Sequence, residues 1–225
     1  MELNVFTSNA TRALIDALAA MFERSSGMRV VVVSDSASVL LDRIRHGATA
    51  DVAVLNAPHI DELVQLSRIV PASRRLFARS RIGVAVRSGT RHPKIDTVEA
   101  LTRTLLDAQT VAHTIHGASG MHVPKILERL GIADRVRTVT RPGGLIAKVV
   151  AAGEAEIAVQ QISELLAVDG VELVGPLPDP VQITFESAAG IFAESKQPER
   201  AQALLQFFSE PACASVFAAK GLEPA

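Results

Sequence analysis

The turn Gly117-Ala118-Ser119-Gly120-Met121-His122 leads straight into Val123-Pro124-Lys125-Ile126-Leu127, whose apolar spacing reads as a helix. Small residues let the backbone bend sharply and leave the first N–H groups of the following helix uncovered, an arrangement suited to holding an anion. Thr7-Ser8-Asn9 and Asp35-Ser36-Ala37-Ser38 are turns of the same kind, each set between an apolar run and a helical pattern. Asn56 ends a further strand ahead of Pro58, and Ile157-Ala158-Val159 leads to Gln160-Gln161-Ile162-Ser163-Glu164 in the same manner. A single hydroxyl at such a place serves equally well as the cap of its own helix. Repetition of the pattern is what points to a shared anion site, with Ser8, Asn9, Ser36, Ser38, Asn56, Ser119 and Ser163 as neutral donors.

Proton transfer on a carbon acid is the alternative chemistry, and it needs a base within hydrogen-bond reach and cationic or amide partners for carboxylates. His116 and His122 flank the key turn, Arg87 follows an extended run and Arg141 opens another turn, so these four are its candidates. His113 and His116 do not read as a metal pair: an extended run sends residues three apart to opposite faces, and no carboxylate or thiol stands beside them. No Gly-x-Ser-x-Gly elbow, no Gly-Lys-Ser/Thr phosphate loop and no Gly-x-Gly-x-x-Gly fingerprint occurs. Neither a metal nor an organic cofactor is expected.

Composition narrows the partners. Of 225 residues 48% are apolar and the mean hydropathy is +0.26, ample for a core, yet no apolar run approaches the roughly 18–20 residues of a membrane span. Membrane insertion is not expected. With 4% aromatic residues and neither Trp nor Tyr, a site built on stacking against bases or sugars lacks its material. Lys and Arg number 23 against 24 acidic residues, mixed along the chain, so no phosphate-backbone footprint exists and nucleic acid is not the expected partner. The lone Cys213 sits in an Ala-rich helical context and reads as packing. An apolar run begins almost at once, at Leu3, with no signal peptide ahead of it. The chain as written therefore implies the cytoplasm, and removal of a leader would place it in the periplasm.

The elements that must position these residues alternate strand and helix, which implies parallel sheets covered on both sides. The β-branched run Val30 to Val33 reads as a strand buried on both faces, and Asp96-Thr97-Val98-Glu99 as a capping box with Asp96 as cap. Two long extended runs, near residues 82 and 187, bracket a middle segment with its own alternation. The expectation is an α/β fold of two lobes, residues 1–80 with 190–225 and residues 81–189, each a mostly parallel sheet flanked by helices. The polar turns would converge on a cleft between the lobes, with hinge closure at the two crossovers.

In order and spacing, these residues resemble the bilobal periplasmic solute-binding proteins with two crossover strands (type 2), and within them the molybdate-binding group. The carriers are Thr7-Ser8-Asn9, Ser36-Ala37-Ser38, Gly47-Ala48-Thr49-Ala50-Asp51-Val52, Phe77-Ala78-Arg79-Ser80, Ala118-Ser119-Gly120 and Gly153-Glu154-Ala155-Glu156-Ile157-Ala158-Val159-Gln160-Gln161-Ile162-Ser163-Glu164. The resemblance implies a monomer that holds a tetrahedral oxyanion through backbone N–H groups and hydroxyls, Ser8 and Ser38 from one lobe, Ser119 and Gly120 from the other. It also implies delivery to an ABC transporter permease. Molybdate binders place a Tyr near the turn that is Gln160-Gln161 here, which puts molybdate in doubt and makes Gln161 the expected contact. Ser119-Gly120 with Gln160-Gln161-Ile162-Ser163-Glu164-Leu165-Leu166 also resembles the bacterial aconitate isomerases. That likeness implies an enzyme moving a proton within a tricarboxylate, with His122 and His116 as catalytic candidates.

Overall fold

A computed structural model describes residues 2–225. The chain opens with β1 (Glu2–Ser8), α1 (Asn9–Ser26), β2 (Arg29–Asp35), α2 (Ala37–Arg45), β3 (Val52–Asn56) and α3 (Ala57–Gln65), then enters the long strand β4 (Arg75–Arg87). Next come α4 (Val98–Asp107), β5 (Val111–Thr114), α5 (Val123–Arg129), β6 (Thr138–Arg141), α6 (Ala147–Ala151), β7 (Ile157–Gln161), α7 (Ile162–Leu165) and β8 (Val171–Pro176). β9 (Thr184–Ile191), α8 (Pro198–Phe207), α9 (Ala214–Ala219) and β10 (Glu223–Pro224) complete it. The chain divides into two units, one of residues up to Arg79 with Phe185–Ala225, the other Ser80–Thr184. Both boundaries fall inside extended backbone, in β4 and in β9.

In the first unit β1 lies between β2 and β3, all three parallel, and β9 runs antiparallel to β3. The period of two in β3 explains its burial. Val52 and Val54 join Leu3, Val5, Leu14 and Leu18 in one core, while Ala53 and Leu55 join Leu40, Ile44 and Ile60 in another. A strand apolar on both faces needs helices on both, and α1 with α8 and α9 covers one side while α2 and α3 cover the other. β2 departs from expectation. Among the described residues it pairs only with β1, and its residues are partly exposed throughout, Val33 included, because an edge strand receives cover along one margin alone.

In the second unit β5 pairs in parallel with β6 and with β7, and β4 runs antiparallel to both β7 and β8. Its core gathers Ala112, Ile146, Val150, Ala158 and Leu165 around the sheet. The start of α4 is also a correction. Thr97, not Asp96, is the cap, its Oγ1 accepting from Ala100 N–H at 3.1 Å, so the helix begins one residue later than the capping-box reading places it. Among the described residues no helix is long and apolar enough to cross a membrane.

Candidate functional site

Parallel strands deliver their carboxyl ends to one edge of a sheet, so the turns that follow them are brought together by topology. In the first unit that edge carries Ser8, Asp35 and Asn56. Ser8 pairs with Asp35 across β1 and β2, and Asn56 pairs with Ser187 of β9. Ser187 is buried and was not singled out by sequence, since nothing in Phe185-Glu186-Ser187-Ala188 marks it as facing Asn56.

The hydroxyls here are largely taken up inside the chain. Ser8 precedes α1 but does not cap it; its Oγ lies 2.9 Å from Thr11 Oγ1, which in turn lies 2.8 Å from Thr7 Oγ1. Asn9 begins α1 and is partly exposed. Ser36 caps α2, its Oγ accepting from Val39 N–H at 3.4 Å, and lies 3.3 Å from the exposed Ser38 hydroxyl. Asn56 precedes α3 without a side-chain cap bond. Asp35 is held by Arg43 at 2.9 Å and accepts from Ser36 N–H at 2.7 Å, so this edge bears no unpaired acid at that point.

The second unit differs. β5 ends at Thr114, and the chain folds back over it so closely that the next turn must be made of glycine. A Cβ at Gly117 would stand 2.5 Å from Thr114 Oγ1, and one at Gly120 would stand 2.6 Å from the Thr114 carbonyl carbon. Both are far inside contact distance. Gly117 O and Ser119 O accept from the N–H groups of Met121 and His122, which wind the turn into α5. The N–H groups of Ala118, Ser119 and Gly120 make no hydrogen bond among the described residues. Ser119 is 1% exposed, and the hydroxyls of Ser119 and Thr114 are buried without a partner. The turn therefore leaves three backbone donors uncommitted, one turn ahead of α5 rather than at its first residue.

Beside it, β7 ends in Gln160 and Gln161, both buried. Gln160 serves structure: its Nε2 donates to Gly144 O at 2.8 Å and its Oε1 accepts from Ile146 N–H at 2.9 Å, fixing the turn before α6. Gln161 is held less firmly, with Nε2 3.4 Å from Glu164 Oε2. Ser163 follows with a buried hydroxyl that has no partner. Ser80 is a further such hydroxyl, two residues before Ile82, which pairs with Gln161. Glu164 is itself buried, and burial pushes its carboxyl up to about 8 against the opposing Gln161 contact. Sequence reasoning placed Ser80 and Glu164 only within longer motifs and gave neither them nor Thr114 as a site residue. The paired glycines after Thr114 are the one signal that would have found it.

The two histidines part company. His122 precedes α5 and is partly buried, and burial first, then Lys125, lower its pKa, which favours a neutral imidazole. His116 is exposed, its backbone N–H bound to Pro142 O at 3.0 Å. The two arginines are not at this edge as free cations. Arg141 is paired with Glu154 at 2.6 Å. Arg87 ends β4 five residues beyond Ile82, roughly 16 Å along the strand from Gln161. There it lines an open groove of about 590 Å³ with Arg91, Arg137, Asp107, Glu154 and Glu156, whose charges balance and whose side chains are exposed. Among the described residues no group of three metal-ligating side chains converges.

The bacterial extracellular solute-binding protein model matches residues 3–223. An aconitate isomerase from Pseudomonas sp is 31% identical over 230 aligned residues, covering 99% of this chain and 87% of that protein. The Azotobacter vinelandii periplasmic molybdate-binding protein superposes with a TM-score of 0.81 at 18% identity, covering 98% of each chain. A sulfate-binding protein from Mycobacterium tuberculosis superposes with a TM-score of 0.75 at 17% identity, covering 100% of this chain and 87% of that one.

Proposed function

The chain belongs to the bacterial extracellular solute-binding protein family, and from that premise we propose that it binds a small anion, a polycarboxylate or a tetrahedral oxyanion. The observation that carries the reading is the Gly117–Gly120 turn on Thr114, with its uncommitted N–H groups and the buried, unpartnered hydroxyls of Thr114 and Ser119. A buried hydroxyl without a partner costs about 1–3 kcal/mol, and an anion oxygen relieves that cost. In this reading Ser119, Gly120, Gln161 and Ser163 of the second unit are the contacts. The 31% relative favours a polycarboxylate, and the absence of any Tyr weighs against molybdate. As a binding protein it would hand its ligand to an ABC transporter permease, outside the inner membrane.

A thermal-shift titration against molybdate, tungstate, sulfate, phosphate and a set of di- and tricarboxylates, including both aconitate isomers, tests this. Ligand at 100 times its Kd stabilises by about 2.7 kcal/mol, which raises the melting midpoint by roughly 5–10 °C for a chain of this size. A polycarboxylate shift is expected; no shift with any anion sinks the proposal.

Proton transfer within a bound tricarboxylate is a second reading, favoured by the same relative and by the environment of His122. There a neutral His122 would take a proton from carbon while the turn holds the carboxylates. Incubation with each aconitate isomer in deuterated water, followed by proton NMR, separates the readings. Deuterium uptake that His122→Ala abolishes without abolishing binding supports an enzyme, and retention of every carbon-bound proton leaves a binding protein.

A further inference from the structure

Two carboxyl groups are buried among the described residues, and they are held very differently. Asp51 accepts from Asn4 N–H at 2.8 Å and from the Ser195 hydroxyl at 2.6 Å. Glu164 has one hydrogen bond, from Gln161 Nε2 at 3.4 Å, whereas a hydrogen bond to an ionised carboxylate is ordinarily about 2.7–2.9 Å. Gln161 is equally buried, and its Oε1 has no hydrogen bond among the described residues. The chemistry of the pair allows two arrangements. A neutral carboxyl group has one O–H to give and Gln161 has one carbonyl oxygen to receive it; a carboxylate has none to give and requires the amide Nε2 instead.

We infer that Glu164 is the positioning residue for Gln161, its protonation deciding which end of the Gln161 amide faces the bound anion. With the acid neutral, its O–H donates to Gln161 Oε1 and the Nε2 hydrogens turn to the ligand. With the acid ionised, Nε2 turns to Glu164 and a carbonyl oxygen faces the ligand, repelling it. The inference rests on the anion-binding reading, with Gln161 as a contact.

The surroundings leave the proton on the acid at neutral pH. α7 packs against β7 and β8; its Ile162 also meets Gly83 of β4, whose Arg81 is paired with Asp179 at 2.7 Å, and its Leu165 shares a core with α6, whose Lys148 is exposed. β7 contributes Ile157-Ala158-Val159-Gln160-Gln161, none of which titrates, and α7 carries no other ionisable group. β8 contributes Glu172 alone, exposed and engaged by His92 Nε2 at 2.9 Å and Gly89 N–H at 3.1 Å. No cation stands near to draw the proton off, and burial raises the carboxyl to about 8. Affinity for a fully ionised ligand should therefore be high at neutral pH and fall as pH rises through that value.

The first measurement uses unliganded protein. Carbon-detected NMR follows the side-chain Cδ of Gln161 and Glu164 from about pH 6 to about pH 10, with Gln161→Ala and Glu164→Gln supplying the assignments. Both resonances should move together through one inflection near pH 8, and the Gln161 resonance should stay flat in Glu164→Gln. Calorimetry with cis-aconitate and with molybdate then compares about pH 7 with about pH 9.5, where affinity should drop on the order of tenfold in the native chain and stay level in Glu164→Gln. An inflection in the ordinary carboxylate range, or binding indifferent to pH, overturns the coupling. A shared inflection near pH 8 with neither probe bound overturns the anion reading instead, and leaves Glu164 governing the amide alone.

Discussion

The carboxyl edges of the two sheets carry similar residue types and treat them in opposite ways. At the first unit's edge Thr7, Ser8 and Thr11 share one hydroxyl network and Ser36 caps its helix. At the second unit's edge Thr114, Ser119 and Ser163 are buried with no partner, beside an acid pushed up to about 8. The same Ser in a strand-to-helix turn is thus a structural bond in one place and an open donor in the other. What decides is the neighbour one helical turn on: Thr11 stands three residues after Ser8, whereas His122 stands three residues after Ser119 and gives its backbone N–H to the Ser119 carbonyl, not to the hydroxyl.

The largest expected effect concerns Glu164. Its folded-state pKa is raised, so the folded chain keeps a proton that the unfolded chain has lost. Its stabilising contribution is complete below the ordinary carboxyl range and disappears as pH climbs to about 8, at about 1.4 kcal/mol per pH unit. Urea unfolding of the native chain should lose stability across that window relative to Glu164→Gln, whose side chain does not titrate; parallel pH profiles would remove the contrast between the edges. Next is Gly120→Ala, where the added carbon must displace the Thr114 backbone. Overpacking of that kind costs about 1–3 kcal/mol, and anion affinity should fall with it. A melting midpoint equal to the native one would show that the turn is not packed on Thr114.

The smallest effects make the sharpest test, because they have opposite signs. Ser8→Ala removes a bonded hydroxyl and should lower unfolding stability by about 1 kcal/mol. Ser119→Ala removes an unpartnered one, so the unliganded chain should be as stable as before, or more stable by up to about 1 kcal/mol, while its anion affinity drops at least fivefold. Equal losses of stability in both variants would erase the distinction.

The α/β plan is legible in the sequence because strand and helix differ in period, and Val52 to Leu55 or Leu14 to Phe22 state theirs plainly. Strand order is not written that way. Val30 to Val33 has the composition of an interior strand, yet β2 lies at an edge, since pairing partners are chosen by distant segments. The sequence does not fix the cap of α4, because Asp96 and Thr97 are both competent acceptors and only the turn geometry selects Thr97. Around the candidate site the glycines and serines announce a polar turn, but Glu164 reads as an ordinary solvated acid in Ile162-Ser163-Glu164-Leu165. Its burial arises from the packing of α7 on β7 and β8, which has no local trace.

The division of the chain also bears on how it is made. Ser80–Thr184 is one uninterrupted segment, whereas the other unit needs Phe185–Ala225, whose Phe208 and Phe217 pack on Phe77 and whose β10 pairs with β4. On a ribosome the segment in the middle can finish folding while the unit begun first still waits for its closing helices. The residues up to Arg79 thus leave the ribosome before the helices that complete their unit, and Phe77 stays uncovered until Phe208 and Phe217 have followed it.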